Sequence, residues 1–172
     1  MPPLSAAEAR SLRRLVVVTA IAVVALDAVT KALAVQYLTG RGSVSILGGV
    51  FHLELYRNFA GPRNTFQGHP VLVSLLAAAG VLAIAAAAFH VRSTAAAVAI
   101  GLLLGGGVGN LLDRLLRAPG PLRGGAIDWL RPGWSSGHMN VADLSIAAGV
   151  VIAVCAALLA LSRRSPRDLP AD

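Results

Sequence analysis

The sequence predicts an all-α polytopic membrane protein, in which four transmembrane helices carry a small β element and an interfacial loop or helix outside the bilayer. The 172 residues are 56% hydrophobic and 13% charged, and their mean hydropathy is +0.71. So few charges cannot cover a surface that faces water throughout. Four apolar stretches, 15–35, 70–91, 94–115 and 141–161, are each long enough to provide the roughly 20 residues that a spanning helix needs. We expect one domain over residues 1–172.

The formal charge of +7 comes from arginines near the ends of the spans. It does not form a basic run of the kind that follows nucleic acid, so no nucleic-acid partner is predicted. Four spans place both termini on one side of the membrane, and arginines beside the terminal spans favour the cytoplasmic side. They are Arg10, Arg13, Arg14, Arg163, Arg164 and Arg167. Segments 36–69 and 116–140 would then lie outside the cytoplasm.

The first span could also be interpreted as a cleaved signal peptide, since a basic stretch precedes the apolar run from Leu15 to Leu26. No small-x-small cleavage site followed by a polar segment is visible there. The apolar segment instead continues through Asp27 and Lys31 to Val35. We therefore expect a retained membrane span.

The segment after the first span changes character. Residues 40–49 are rich in glycine, and apolar residues then alternate with polar ones from Phe51 to Tyr56. Alternation with a period of two predicts a short amphipathic strand or hairpin at the membrane surface. A plain extended connector is the alternative.

The third span carries a stripe of small residues and then a polar group. Gly101, Gly105 and Gly109 recur every fourth residue, the pattern that lets membrane helices approach closely. Asn110 and Asp113 share a helix face with Arg114. This spacing predicts a polar cluster, and an Asp113–Arg114 pair at the membrane boundary is the simpler interpretation.

Ionisable groups at membrane depth are costly and indicate function unless they are paired. In the first span, Asp27 and Lys31 lie one helical turn apart, so we expect an ion pair that supports the structure or the site. Asp128 and Asp143 have no cation at helical spacing and bracket one loop rich in Gly, Pro and Trp. Two carboxylates in one poorly hydrated pocket cannot both ionise cheaply, which yields an acid and a base from one residue type.

Asp143 has a second interpretation. Asn140 precedes it by three residues, as at the start of a capped helix, where an acidic residue is favoured near the positive helix end. This role is compatible with chemistry, because the helix end would help to keep Asp143 ionised.

The sequence lacks the residue patterns that other hydrolytic mechanisms require. There is no H-E-x-x-H segment, and the four histidines lack the spacing of metal ligands. The sole lysine, Lys31, is placed beside Asp27, which argues against a serine–lysine pair, and no G-x-S-x-G segment occurs. The single cysteine, Cys155, lies within the fourth span, where we expect it to serve packing.

Four segments resemble, in order along the chain, the motifs of the bacterial lipoprotein signal peptidase family, or signal peptidase II. Residues 27–31 read DAVTK, similar to D-x-x-T-K, and residues 106–114 read GGVGNLLDR, similar to G-G-x-x-G-N-x-x-D-R. Residues 126–129 read AIDW, which resembles V-V-D-F, and residues 140–143 read NVAD, which resembles the end of F-N-x-A-D. The resemblance covers nearly the whole chain.

The resemblance implies an aspartic endopeptidase that cuts prolipoproteins before a diacylglyceryl-modified cysteine. Asp128 and Asp143 would be the catalytic pair, and no metal or organic cofactor is expected. The implied setting is the bacterial inner membrane, with the active site near its outer face. The expected partners are the diacylglyceryl-prolipoprotein substrate and membrane lipid, and the protein is expected to be a monomer. Residues expected to bind substrate or to support the site are Asn58, Asn110, Asp113, Arg114, Asn140, Asp27 and Lys31.

The chain also departs from the family pattern. Where the family has N-x-G-x-A-F, residues 58–66 read NFAGPRNTF, so the glycine is displaced and Pro62 and Arg63 are added. Met139 replaces an aromatic residue, and Trp129 stands where Phe is usual. A divergent or inactive paralogue, or a membrane protein that only binds lipoprotein signal peptides, is therefore the alternative function.

Overall fold

The computed structural model of the chain describes residues 4–162. Three of the arginines used to predict cytoplasmic termini, Arg163, Arg164 and Arg167, lie outside the described residues. The fold that the remainder adopts is mostly helical.

Four long helices form the membrane part of the fold. They are α1 (Ala6–Leu38), α2 (Pro70–Ala87), α3 (Thr94–Leu116) and α4 (Val141–Ser162). By length and composition, each of these four helical segments can cross a membrane. The predicted class, a four-helix membrane protein with a small β element, is confirmed, although α1 extends well beyond the 15–35 stretch.

Local sequence explains where these helices start. The Ser5 hydroxyl accepts the Glu8 backbone N–H while the Glu8 carboxylate accepts the Ser5 N–H, which is a capping box at the start of α1. Ser93 caps α3 through the Ala96 N–H. Pro70 opens α2 at a position where a missing N–H costs nothing.

Helix α3 packs against the other three helices, and its glycines set the distances. A Cβ built on Gly101 would lie 2.9 Å from the Val16 carbonyl oxygen, and one on Gly105 would lie 2.8 Å from that of Ala20. Gly106 meets the backbone of α4 at Ala142 in the same way. The stripe of small residues therefore does bring the backbones of neighbouring helices into contact.

A three-stranded antiparallel sheet lies at the end of the bundle that holds the start of α4. Its order is β1 (Val44–Ile46), β2 (Phe51–Asn58) and β3 (Ala126–Pro132). The alternation from Phe51 to Tyr56 predicted β2 and its hairpin with β1. The sequence predicts an interfacial loop or helix besides the β element, whereas residues 126–132 form the third strand, because they pair with β2 from far along the chain.

The outer surface of the bundle is apolar, as a lipid-facing surface must be. Ile21 of α1, Leu82 of α2 and Val151 of α4 are all at least 60% exposed. Cys155 also lies on this exposed surface of α4, so its side chain packs against none of the other helices. The face of α4 that carries it points away from the other helices.

We expect Gly105→Ala to destabilise the protein, because the new methyl group would lie 2.8 Å from the Ala20 carbonyl oxygen and would force α1 and α3 apart. Overpacking of this kind costs about 1–3 kcal/mol. Gly80→Ala in α2 is the matched control, since a Cβ there has no neighbour within 4 Å. Thermal unfolding in detergent should separate the two variants; equal melting temperatures would contradict the packing described for α1 and α3.

Candidate active site

Three helices, α2, α3 and α4, and two strands, β2 and β3, line a cavity of about 610 Å³. Asp128 of β3 and Asp143 of α4 both line it, so the structure brings the two bracketing carboxylates together. Its polar wall includes Asn58, Asn110, Arg114 and His138, and its apolar wall is built from α2, α3 and α4. The cavity therefore joins a polar end at the sheet to an apolar end within the bundle.

Asp128 is held by two side-chain amides. It lies on β3 opposite Tyr56 of β2 and is 1% exposed. Asn58 Nδ2 donates to its Oδ2 at 3.1 Å, and Asn140 Nδ2 donates to its Oδ1 at 2.6 Å. Asn58 therefore contacts the carboxylate, although the glycine that follows it in segment 58–66 is displaced relative to the family pattern.

Asp143 occupies the first turn of α4. Its Oδ1 accepts the Asn110 Nδ2 group at 2.8 Å, and its Oδ2 accepts the Asn140 backbone N–H at 3.1 Å. Asn140 Oδ1 in turn accepts the Asp143 N–H at 2.9 Å. This reciprocal pattern is that of a capping box, so Asp143 both caps α4 and faces the cavity.

Asn140 links the two carboxylates and is completely buried. One side of its amide donates to Asp128, while its carbonyl oxygen and its backbone N–H engage Asp143. Its Nδ2 group also lies 3.0 Å from Asn110 Oδ1. A single residue therefore sets the relative positions of both acidic side chains.

The environment raises the pKa of Asp128 to about 7. Burial is the main cause, because it disfavours the charged form, and the nearby charge of Asp143 adds to it. The amides of Asn58 and Asn140 act in the opposite direction. Asp128 is therefore mostly protonated below about pH 7, and Asp143 lies at the positive end of a helix.

Behind this pair lies a buried ionic cluster centred on Lys31. Its Nζ is 2.6 Å from Asp27 Oδ2 and 2.8 Å from Asp113 Oδ2, and it donates to Asn110 Oδ1 at 3.1 Å. The pairing expected between Asp27 and Lys31 is thus present, with a second carboxylate added.

Both carboxylates of this cluster also hold the backbone. Asp27 Oδ1 accepts the N–H of Ala142 at 2.9 Å, and Asp113 Oδ2 accepts the N–H of Ile127 at 3.0 Å. Ala142 directly precedes Asp143, and Ile127 directly precedes Asp128. The cluster therefore positions the backbone on which each cavity carboxylate stands.

The Asp113–Arg114 pair suggested by the sequence does not form among the described residues. Asp113 pairs with Lys31 and Arg117, whereas Arg114 donates to the Asn110 carbonyl oxygen at 3.1 Å. Arg114 also lines the cavity, and its Nε is buried without a partner among residues 4–162. The polar cluster predicted at the end of α3 therefore separates into two sets of contacts, because Asp113 and Arg114 point toward different neighbours.

The sequence reasoning missed one set of residues beside the cavity. His138 lines it, and the His138 Nε2 atom meets Glu54 Oε1 at 2.5 Å. Tyr56 stacks on the His138 ring. The alternation along β2 indicated a polar face containing Glu54 and Tyr56, but no spacing in the sequence links that face to His138.

No group of three or more His, Cys, Asp or Glu residues between positions 4 and 162 is arranged to hold a metal ion. The polar groups that converge on the cavity are carboxylates, amides, one guanidinium and one imidazole. Such a set can donate and accept protons and can bind a peptide backbone.

Comparison with known proteins gives a family. The sequence model of the signal peptidase (SPase) II family matches residues 19–159. A lipoprotein signal peptidase of Mycolicibacterium smegmatis is 38% identical over 164 residues, covering 92% of this chain and 69% of that protein. One from Mycobacterium tuberculosis strain H37Rv is 40% identical over 152 residues, covering 88% and 74% of the two chains.

A solved structure shares the fold. A bacterial membrane enzyme determined by the in meso method at 2.3 Å resolution aligns with a TM-score of 0.76 at 22% identity, over 90% of this chain and 94% of that one. With the match to the family model and the similarity to the curated relatives, the chain belongs to the signal peptidase II family.

Proposed function

We propose that the protein is an aspartic endopeptidase that removes the signal peptide from prolipoproteins, with Asp128 and Asp143 as its catalytic residues. Family membership supports the reaction. The observation that carries the residue assignment is the pair of buried carboxylates on one cavity, joined by Asn140. Two carboxylates that face one poorly hydrated cavity do not both ionise cheaply, so such a pair suits acid–base chemistry.

In the proposed mechanism Asp143 acts as the base and Asp128 as the acid. Asp143 takes a proton from a water molecule whose oxygen attacks the scissile carbonyl carbon, while Asp128 gives its proton to the carbonyl oxygen. The resulting diol then collapses. The C–N bond breaks, the leaving nitrogen takes the proton from Asp143, and Asp128 recovers a proton from a diol hydroxyl.

Other polar residues of the site would position these groups. Asn110 and Asn140 hold the two carboxylates by direct hydrogen bonds, and Asn58 holds Asp128. Arg114 lines the cavity, where its guanidinium suits a peptide carbonyl of the substrate. Asp27, Lys31 and Asp113 support the site from behind without lining the main cavity.

The apolar part of the cavity suits a substrate that carries lipid. Val81 and Ile84 of α2 face Leu103 of α3 and Ile146 of α4 across it. Acyl chains and an apolar signal sequence would both be buried favourably there. This supports a diacylglyceryl-modified prolipoprotein as the substrate and contact with membrane lipid around it.

For the setting we propose the bacterial inner membrane, with both termini in the cytoplasm and the active site near the outer face. Arg10, Arg13 and Arg14 lie at the opposite end of α1 from Lys31 and the cavity, in agreement with cytoplasmic termini. We further propose a monomer, since the two carboxylates and the groups that hold them come from one chain.

Asp128→Asn and Asp143→Asn should each reduce cleavage of a diacylglyceryl-modified prolipoprotein by about 100-fold or more, since each removes an acid–base group. Both variants should still insert into membranes and unfold cooperatively. Glu8→Gln is the control, because Glu8 is exposed at the other end of α1 and Gln preserves its capping role.

The assay would compare modified with unmodified prolipoprotein, using purified protein in detergent or lipid. Cleavage retained by either Asn variant would contradict the catalytic assignment. If the well-folded wild type binds the modified substrate but never cuts it, the protein is a binding paralogue instead.

The pH dependence of cleavage should follow the proton on Asp128. Because its pKa is raised to about 7, Asp128 is protonated below that pH and ionised above it. The proposed acid must be protonated, so kcat/KM should fall as the pH rises through about 7. Asn58→Ala removes a hydrogen bond that lowers this pKa, so it should move the fall to higher pH. An unshifted profile in Asn58→Ala, with unfolding excluded at each pH, would argue that another group is the acid.

Lys31→Met should lower yield and thermal stability, because it leaves Asp27 and Asp113 buried without their shared cation. Removing one partner of a buried ion pair costs about 3–5 kcal/mol. Val29→Met provides the control, since Val29 lies two residues away on the exposed surface of α1. A Lys31→Met protein that melts like the wild type but does not cut would instead place the lysine in the catalytic machinery.

A further inference from the structure

His138 is an immobilised side chain on the wall of the active-site cavity. Its ring stacks on Tyr56 with centroids 4.6 Å apart and planes 17° apart. In the plane of the ring, His138 Nε2 lies 2.5 Å from Glu54 Oε1. One contact sets the plane of the imidazole and the other sets its rotation within that plane.

The register of the sheet places this ring beside the proposed acid. Tyr56 is directly opposite Asp128 in the antiparallel pairing of β2 and β3. Directly opposed residues project their side chains from the same face of a sheet, with Cβ atoms about 5 Å apart. The ring stacked on Tyr56 therefore covers the face that carries Asp128, and His138 lines the same cavity as Asp128 and Asp143.

Glu54 determines which ring nitrogen is available. Arg131 Nε lies 2.6 Å from the Glu54 carboxylate and, with its other partners, lowers the pKa of Glu54 to about 2, so Glu54 remains charged. An ionised carboxylate only accepts hydrogen bonds, so His138 Nε2 must carry a proton. In the neutral ring Nδ1 is then an acceptor, and it has no hydrogen-bond partner among the side chains that the structure describes, which do not include that of Arg63.

The same assembly joins the two segments in which the sequence departs from the family pattern. The Tyr56 hydroxyl donates to Asn64 Oδ1 at 3.2 Å, within segment 58–66. His138 directly precedes Met139, and Met139 pairs with Leu130 of β3. Gly61, Pro62 and Met139 all line the cavity, so this assembly shapes the side of the cavity next to the sheet.

We propose that His138 is a substrate-positioning residue whose Nδ1 accepts a backbone N–H of the peptide bound beside the scissile bond. The proposal rests on the peptidase function above. An extended peptide presents one backbone N–H per residue, and an acceptor fixed in place gains the hydrogen bond with little further loss of freedom. Met139 and Pro62, which line the same cavity, would help to exclude water from the contact.

Two variants of His138 distinguish the role of Nδ1 from that of Nε2. His138→Asn keeps an acceptor near the position of Nδ1, whereas His138→Gln reaches toward Nε2 and Glu54 but has no acceptor at Nδ1. One lost neutral hydrogen bond should lower kcat/KM of His138→Gln by about two- to twelvefold, mainly through KM. His138→Asn keeps the acceptor but loses the contacts to Glu54 and Tyr56, so its kcat/KM should fall less than that of His138→Gln. A purely structural role predicts the reverse order, since only Gln can retain the bond to Glu54.

The decisive experiment measures binding to modified substrates. Diacylglyceryl-modified peptides spanning the cleavage site would carry single ester replacements of the backbone N–H groups that flank, but do not include, the scissile bond. Affinities would be measured in the Asp128→Asn background, with His138 intact or replaced by Gln. One ester peptide should lose affinity for the His138 protein and lose none for the Gln protein, which is the coupling expected of a direct contact.

The outcomes distinguish this proposal from the proposed function. If every ester peptide loses affinity equally with His138 and with Gln, His138 does not accept a substrate N–H and the proposal is wrong. If the wild type binds these peptides but does not cut the parent peptide, the peptidase function fails while the coupling still tests His138. Equal melting temperatures for the two His138 variants exclude unfolding as the cause.

Discussion

The ion cluster of Lys31 with Asp27 and Asp113 is the interaction on which the rest of the site depends. Each carboxylate shares the lysine and also accepts the backbone N–H that precedes one cavity carboxylate, Ala142 for Asp143 and Ile127 for Asp128. One cation on α1 thereby holds both the start of α4 and the start of β3. A buried group with this many ionic and hydrogen-bonded contacts is costly to disturb and confers a unique geometry.

The cluster forms only because α3 lets α1 approach closely. Gly101 and Gly105 bring the two backbones together. One turn further on, a Cβ at Gly109 would lie 2.6 Å from Asp27 Oδ2, so only glycine leaves room for that carboxylate. The close packing of α1 against α3 is therefore also what fixes the geometry of the ion cluster. The glycines that allow van der Waals contact between helices also allow the ions to meet.

The two halves of the site differ in how they are held. The carboxylates and their amides are fixed from within the bundle, through Asn110, Asn140 and the lysine. The cavity wall next to the sheet is fixed by contacts outside the helix bundle, between His138 and the β2 residues Glu54 and Tyr56. The proposed catalytic groups and the proposed peptide-positioning groups can thus vary separately. The departures of segment 58–66 and Met139 from the family pattern lie on the side next to the sheet.

One can predict the four-helix membrane fold, the hairpin before α2 and the acidic residues of the site from the order of residues alone, because hydropathy, period-two alternation and the cost of charge in lipid are local properties. The ordered motifs identified the family for the same reason. Tertiary structure alone decided that 126–132 is a strand, that Asp113 turns to Lys31 instead of Arg114, that Cys155 faces outward, and that His138 meets Glu54 and Tyr56. These features depend on contacts between residues far apart in the chain, whose partners no local spacing can specify.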